Sequence, residues 1–323
     1  MSSDQPACSD QLRVGLAQIA PVWLHREATL EKVGTWVERA ADEGCQLVAF
    51  GEALVPGYPF WVERTDGACF NSPVQKDLYA HYLDQAIQPE AGHLDALCAL
   101  AAQRGIAVVL GSIERARDRG GHSLYCSLLY IDARGVLQAA HRKLMPTYEE
   151  RLVWAPGDGH GLRVHPLGAF AVGALNCWEN WMPLPRAALY AQGEDLHVAL
   201  WPGSERNTHD ITRFLAKEGR SYVLSVSGLL RRADIPDDLP HYELMVANSG
   251  EWLANGGSCI AGPDGQWVVE PLVGEERLIM ATLDHANVRR ERQNFDPAGH
   301  YARPDVTRLV VNRVRQSTVE WGE

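Results

Sequence analysis

The stretch AFAVGALNCWENWMP, residues 169–183, decides the fold class of this chain. Its first half is an apolar run that predicts a buried strand, and this strand stops at Cys177. Pro183 then opens a predicted helix near 183–192, because proline is favoured in the first turn of a helix. A second apolar run, LHVALWP at 196–202, predicts the next strand. This succession of strand, helix and strand is typical of an α/β architecture.

The same alternation continues in both directions along the chain. Further helices are predicted near 26–43, 92–104 and 209–221. Further strands are predicted at 13–20, 46–50, 105–114, 123–132, 136–143, 222–230, within 257–270 and at 278–284. Because a short ARG turn joins two of these strands as a hairpin, we expect about ten strands arranged in mixed rather than purely parallel sheets.

The predicted domain organisation depends on whether anything interrupts this alternation of strands and helices. We expect a flexible lead over residues 1–10, one domain over 11–312 and a C-terminal tail over 313–323, because no repeat and no long Pro/Gly/Ser linker divides the chain. The prolines and polar residues of 231–256 predict a long loop.

Composition narrows the possible partners. The 323 residues include 30 basic and 41 acidic side chains, a formal charge of -11. Such a charge disfavours nucleic acid and anionic membrane surfaces as partners. No apolar run approaches the ~20 residues that cross a bilayer, and the first residues do not resemble a secretory signal, so we expect a cytoplasmic protein.

The cysteines indicate neither disulfides nor a metal site. Seven cysteines are an odd count spread widely through a long chain, which is no disulfide framework. The chain has no CxxC pair, no HExxH motif and no histidine cluster. We therefore expect metal-free chemistry without a cofactor.

Three predicted strand ends carry residues that can do chemistry together. Cys177 lies at a strand-to-helix elbow, where the N–H of Trp178 can face a developing negative charge. Glu52 directly follows the strand at 46–50, and Lys143 ends the strand at 136–143. Free cysteine is often simply buried, but a carboxylate, an ammonium and a thiol can serve as base, electrophilic stabiliser and nucleophile.

These stretches resemble the nitrilase (carbon–nitrogen hydrolase) superfamily, and its nitrilase branch in particular. The similarity rests on GEALVPGYP (51–59), HRKLMPT (141–147) and NCWENWMPLPRAALY (176–190), supported by LAKEGRSYVLS (215–225) and GEERLIMATLD (274–284). It covers nearly the whole chain. Gly51, where relatives commonly have proline, and the loop at 225–241 depart from the family pattern.

The resemblance implies a fold and a set of catalytic residues. The fold would be a four-layer αββα sandwich, with subunits paired into a homodimer or extended into larger oligomers and spirals. The family's catalytic cysteine, glutamate and lysine fall on Cys177, Glu52 and Lys143. Its second glutamate falls on Glu150, with the neighbouring Glu149 as the alternative.

The resemblance also implies hydrolysis of an organic nitrile through a cysteine thioimidate. An amidase of the same superfamily, or a catalytically silent scaffold protein, are the alternatives that the residues leave open. We expect the substrate to be a small nitrile or amide, and aromatic residues near the strand ends either line its pocket or pack in the core or an interface. These residues are Tyr58, Tyr148, Trp178, Trp181 and Trp201. His197 is expected to be a hydrogen-bonded strand residue without a role in proton transfer.

Overall fold

The computed structural model describes residues 10–319 and Gly322. The α-helices in this part of the chain are α1 (Arg26–Asp42), α2 (Trp61–Arg64), α3 (Pro73–Gln85), α4 (Asp95–Arg104), α5 (Pro183–Tyr190), α6 (Glu205–Gly219), α7 (Tyr242–Ala247) and α8 (His285–Glu291). The strands are β1 (Gln11–Gln18), β2 (Leu47–Phe50), β3 (Ala107–Arg115), β4 (Leu124–Ile131), β5 (Leu137–Arg142), β6 (His165–Leu167), β7 (Phe170–Asn176), β8 (Leu196–Trp201), β9 (Tyr222–Ser227), β10 (Leu229–Arg231), β11 (Trp252–Ala261), β12 (Trp267–Val273) and β13 (Arg277–Asp284).

The strands form two mixed sheets. The first has the order β13-β1-β2-β3-β4-β5, and the second has the order β10-β11-β9-β8-β7-β6 with β12 paired to β11. Strands connected through helices run parallel, as β1 does with β2 and β7 with β8. Strands connected through short turns run antiparallel, as β4 does with β5. A two- to five-residue turn reverses the direction of the chain, so the strands that it joins are antiparallel. A helix instead carries the chain back to the end of the sheet where the previous strand began, so the next strand runs parallel to it.

The two sheets pack face to face, and helices cover their outer faces. Side chains that alternate toward the inner face of each strand, such as Val14 of β1 and Val198 of β8, share one buried cluster. The outer face of the first sheet packs against α1 and α4 through residues such as Val37. The outer face of the second sheet packs against α5 and α6 through residues such as Leu189 and Leu215. This is the predicted αββα sandwich, and the fold prediction is therefore confirmed.

Two segments differ from the sequence-based expectation. Helix α3 is absent from the predictions, because its apolar residues, including Leu78 and Tyr82, are few and its remaining surface is polar. The predicted loop at 231–256 is wrong in part, because it contains α7 and the start of β11. Met245 of α7 packs into a buried cluster, and this tertiary contact stabilises a helix too short to form alone.

The chain ends are held to the sandwich where the structure describes them. The expected lead at 1–10 lies outside the described residues except for Asp10, whose carboxylate accepts two hydrogen bonds from Arg289. Within the expected tail at 313–323, Arg315 donates to Asp158 and to the carbonyl of Ala140. Within residues 10–319, no helix combines the length and the apolar character that crossing a bilayer requires.

Candidate active site

The structure brings the three predicted strand ends into one buried cluster. Lys143 Nζ lies 2.9 Å from Glu52 Oε1, and both side chains are fully buried. The Cys177 sulfur and one carboxylate oxygen each of Glu52 and Glu150 lie within 4.8 Å of one another. A thiol, a carboxylate and an ammonium that follow the ends of β7, β2 and β5 therefore share one small volume.

Glu150, rather than Glu149, is the second carboxylate of this cluster. Lys143 Nζ donates a 2.7 Å hydrogen bond to Glu150 Oε2, and Tyr58 Oη donates a 2.9 Å bond to Glu150 Oε1. The backbone N–H of Thr147 adds a bond of 2.6 Å to Glu150 Oε2. Glu149 is only half-buried, and its recorded contact is a longer one of 3.3 Å to Tyr58 Oη.

The backbone at Cys177 aims its sulfur into the cluster. Cys177 follows β7 directly and begins a short 3₁₀-helix, Cys177–Trp181, with a φ of 44°. A left-handed φ is costly for a residue with a Cβ and is found where surrounding contacts enforce it. The N–H of Trp178 donates toward the cysteine sulfur. This is the elbow that the sequence predicts, with a backbone donor beside the thiol.

Close backbone packing holds Glu52 in place. Its N–H donates to the carbonyl of Trp201 at the end of β8, so the loop after β2 is fastened to the other sheet. A Cβ at Gly51 would lie 2.9 Å from Gly228 N and 3.0 Å from Trp201 O. A side chain does not fit there without movement, which explains the glycine at this position. Gly111 of β3 likewise leaves room for the backbone of residues 51–53.

Burial and neighbouring charges shift the pKa values of the cluster residues so that the Cys177 thiol needs a base to ionise. Burial raises the pKa of Glu52 to about 7, with Lys143 opposing the shift and Glu150 adding to it. Burial raises the pKa of the Cys177 thiol well above its usual value, and the neighbouring carboxylates raise it further against the effect of Lys143. Burial alone would lower the pKa of Lys143, but Glu52, Cys177 and Glu150 hold it well above its usual value. Lys143 therefore stays charged while the thiol stays protonated at rest.

One oxygen of Glu52 is free to accept a proton. Glu52 Oε1 contacts Lys143 and also accepts a 3.5 Å hydrogen bond from the buried thiol of Cys126 on β4. Glu52 Oε2 is buried and has no hydrogen-bond partner among the described residues. The positive charge beside these oxygens comes from Lys143, whose Nζ contacts both Glu52 and Glu150.

A cavity of about 250 Å³ reaches Cys177 from the surface. Its lining residues are Tyr58, Phe60, Glu63, Glu149, Glu150, Cys177, Trp178, Pro202, Gly203, Ser204, Arg206, Asn207 and Leu253. Cys177 and Glu150 lie at the buried end, and the charged Glu63 and Arg206 are exposed. The cavity can thus admit a small molecule, and its lining combines polar side chains with a few apolar ones.

The predicted aromatic residues separate into three groups. Tyr58 and Trp178 line the cavity. Tyr148 and Trp181 are exposed and do not line it. Trp201 is fully buried and packs against α6, so its placement in the pocket wall needs correction: the side chain points from β8 to the outer face of the sheet.

Several buried residues support the cluster although the sequence did not assign them a role. Glu179 accepts hydrogen bonds from His141 and from two backbone N–H groups. Asn180 Nδ2 donates to the carbonyl of Cys177, and His197 Nε2 contacts Asn180 Oδ1. His197 also contacts Glu194, so it is the hydrogen-bonded strand residue that was expected. The local signal was the set of polar residues that directly follows an apolar strand.

Comparison with known proteins shows similarity along nearly the whole chain. The family model described as carbon–nitrogen hydrolase matches residues 13–293. Nitrilase 2 of an unknown prokaryotic organism is 38% identical over 311 residues, 96% of this chain and 95% of that protein. The aliphatic nitrilase of Sinorhizobium fredii (strain HH103) is 36% identical over 315 residues, 96% of this chain and 98% of that protein.

Solved structures show the same sandwich. A mutant of the Nesterenkonia AN1 amidase from the nitrilase superfamily superposes with a TM-score of 0.64 at 20% identity. The match covers 90% of this chain and 96% of the amidase chain. At this identity the likeness concerns the fold.

Proposed function

Because this chain belongs to the carbon–nitrogen hydrolase family, we propose that it is a nitrilase that converts an organic nitrile to the carboxylic acid and ammonia. The observation that carries the proposal is the buried contact of Lys143 with Glu52 and Glu150 beside the Cys177 sulfur. The nitrilase names of relatives that are more than a third identical over nearly the full chain support nitriles over amides as substrates.

The first step forms a carbon–sulfur bond. Glu52 takes the thiol proton of Cys177, and the sulfur adds to the nitrile carbon while one π bond of the C≡N group breaks. The nitrogen receives the proton, which gives a neutral thioimidate. Lys143 and the N–H of Trp178 stabilise the charge that builds on nitrogen, a contribution commonly worth ~3–4 kcal/mol per positioned donor.

The later steps consume two water molecules. Glu52 removes a proton from the first water as it adds to the thioimidate carbon and passes this proton to the nitrogen. The hydroxyl proton of the resulting tetrahedral intermediate is then transferred through Glu52 to the same nitrogen as the carbon–nitrogen bond breaks, which releases ammonia and forms the thioester carbonyl. The thioester that remains is cleaved by the second water, which breaks the carbon–sulfur bond and restores the thiol. One nitrile and two waters thus give one carboxylic acid and one ammonia.

The shape of the cavity supports a small, partly apolar substrate. Its volume of about 250 Å³ and the side chains of Tyr58, Phe60, Trp178 and Leu253 suit an aryl, arylacetic or short aliphatic group. The nitrile carbon would lie against Cys177 at the buried end, and the organic group would point toward the exposed rim.

The test is hydrolysis of matched nitriles and amides by the purified protein. Ammonia release would be followed for aryl, arylacetic and aliphatic nitriles and for the corresponding carboxamides, with mass spectrometry of the peptide that contains Cys177. We expect ammonia from at least one nitrile and a covalent adduct at Cys177. Ammonia from amides but from none of the nitriles would instead identify an amidase, and turnover of neither would overturn the proposal.

Two cysteine variants provide the control. Cys177→Ala should abolish turnover and the adduct, because among the described residues Cys177 is the cysteine that lines the cavity, whereas the buried thiol of Cys126 contacts Glu52 without lining it. Cys259→Ala also removes a buried thiol, but Cys259 lies on β11 beside Thr212 and should leave turnover near the wild-type value. Equal losses in the two variants would point to a folding defect instead of a lost nucleophile.

We also propose a homodimer or larger homo-oligomer in a reducing compartment, the cytoplasm. Leu184 on α5 and Phe214 on α6 expose large apolar side chains on the outer helical layer, which supports pairing there. Six cysteines in the described part of the chain are unpaired, which supports the compartment. Sedimentation velocity of wild type and Leu184→Glu, with a smaller species for the variant, would test the pairing.

A further inference from the structure

We propose that Glu179 is a positioning residue that fixes the distance between the Lys143 ammonium and the Cys177 sulfur. The proposal rests on the proposed function of these two groups. Glu179 does not line the cavity. It acts through the backbone of the residues beside Lys143 and Cys177.

The carboxylate of Glu179 joins the two strand ends. Its Oε1 accepts a 2.9 Å hydrogen bond from the N–H of Leu144, the residue after Lys143. Its Oε2 accepts a 3.0 Å bond from the N–H of Asn176, the residue before Cys177. Leu144 follows β5 of one sheet and Asn176 ends β7 of the other. One side chain therefore ties together segments from two sheets that share no strand pairing here.

His141 completes the arrangement and orients the carboxylate. Its Nε2 lies 2.9 Å from Glu179 Oε1 and 3.1 Å from Oε2, and both side chains are buried. Because an ionised carboxylate can only accept, His141 Nε2 is the donor. His141 also lies on β5, two residues before Lys143, so the contact adds a second attachment to the same strand end.

The position requires a carboxylate. Three donors converge on two oxygens, and an amide would offer one acceptor oxygen while turning its own NH₂ toward a backbone donor. Burial alone raises the pKa of the Glu179 carboxyl, but His141 and the two backbone N–H groups outweigh burial and hold the pKa below its usual value. Glu179 therefore stays ionised throughout the neutral range.

The elbow is fastened independently on its other side. Asn180 Nδ2 donates a 2.8 Å bond to the carbonyl of Cys177, and His197 holds Asn180. Loss of Glu179 should therefore release the strand end of Lys143 from the elbow without detaching the elbow from its own sheet. The expected result is a longer distance between ammonium and sulfur in a folded protein.

The experiment compares Glu179→Gln with Asp195→Asn. Asp195 is a matched control, because it is also a buried carboxylate that accepts from a backbone N–H, that of Ala171, and from a histidine, His285. It lies at the opposite end of β7 and β8 from the cluster. The kcat of both variants would be expressed per folded molecule, and their circular dichroism and melting temperature would be recorded.

For Glu179→Gln we expect kcat on the best nitrile to fall about 100-fold, since misplacement by about 1 Å has such an effect. Asp195→Asn should stay within about threefold. Glu179→Asp keeps the charge but is one methylene shorter, and it should lie between wild type and Glu179→Gln. Equal kcat per folded molecule for Glu179→Gln and Asp195→Asn would overturn the proposal, as would wild-type kcat for Glu179→Asp if the glutamine variant does not fold.

Alkylation of Cys177 by iodoacetamide supplies a readout that needs no nitrile. With the ammonium farther away, less thiolate forms, so alkylation should slow about tenfold and its pH midpoint should rise. The exposed Cys69 serves as the internal reference and should react unchanged. A wild type that hydrolyses no nitrile would refute the proposed function alone, whereas unchanged alkylation kinetics at Cys177 would refute the role of Glu179.

Discussion

Lys143 Nζ donates a 2.7 Å hydrogen bond to Glu150 Oε2, and the two residues are seven positions apart in the chain. The same nitrogen lies 2.9 Å from Glu52 Oε1, so one ammonium neutralises parts of two buried carboxylates. Glu150 is in turn held by Tyr58 and by the backbone of Thr147. The ammonium is therefore fixed in position and charge before any substrate enters.

The adjacent glutamates provide a matched pair for testing this contact. Glu150→Gln should lower kcat at least ~100-fold, because the lysine loses a charged partner in a site where a positioned charge is worth ~3–4 kcal/mol. Glu149→Gln removes the same charge one residue away and should change kcat by about threefold or less. Steady-state kinetics on one nitrile would check both, and a larger loss of kcat in Glu149→Gln would reverse the assignment.

The raised pKa of Glu52 predicts the pH dependence of the reaction. Since burial raises this pKa to about 7, Glu52 holds a proton in acid and cannot act as a base. We expect kcat/KM to rise with pH through a midpoint near 7 and to fall as pH drops below it. A profile that stays flat from pH 5 to 8 would contradict Glu52 as the base.

Cys126 offers a way to move that midpoint. Its thiol donates to Glu52 Oε1, which favours the ionised carboxylate and lowers the pKa of Glu52. Cys126→Ala removes the donor and should shift the acid limb of kcat/KM to higher pH. Cys126→Ser retains a donor and should shift the limb less or in the opposite direction. Identical pH profiles for the alanine and serine variants would show that this contact does not affect Glu52.

Gly111 tests the close backbone packing that holds Glu52. A Cβ at this position would lie 2.7 Å from the Glu52 Cα and 2.8 Å from Ala53 N, so Gly111→Ala must displace the loop. Such overpacking costs ~1–3 kcal/mol of unfolding free energy, and kcat should fall with it. Gly250→Ala is the control, because its Cβ meets nothing within 4 Å. Denaturant unfolding would measure both, and equal stabilities would refute the packing argument.

Substitution of Trp178 should mainly affect KM, whereas substitution of Trp201 should mainly affect the stability of the fold. Trp178 lines the cavity and is about half exposed, so Trp178→Ala should raise KM for aryl nitriles ~10-fold with little change in melting temperature. Trp201 is fully buried, so Trp201→Ala should lower the unfolding free energy by ~3–5 kcal/mol. Kinetics and thermal unfolding would check the pair. If Trp201→Ala raised KM without changing the unfolding free energy, Trp201 would have to be part of the cavity wall.

The amino-acid sequence by itself determined most of the local elements and their order, with α3 and α7 among the exceptions. Apolar runs and helical periodicity are local properties, and they gave the alternation around β7, α5 and β8 and the elbow at Cys177. The sequence also predicted that Glu52, Lys143 and Cys177 lie at three strand ends. Such strand ends are where α/β folds commonly carry their binding and catalytic sites. The predicted αββα sandwich followed from the family resemblance.

The tertiary structure alone decided which side chains meet. Glu149 and Glu150 are neighbours of one type, and the direction of each side chain depends on how the turn Tyr148–Leu152 packs. The inward or outward direction of Trp201, and the reach of Glu179 to backbone groups of two sheets, likewise depend on how the sheets are stacked. A local pattern specifies where the chain turns, but contacts between residues distant in sequence arise only when the layers of the sandwich pack against one another.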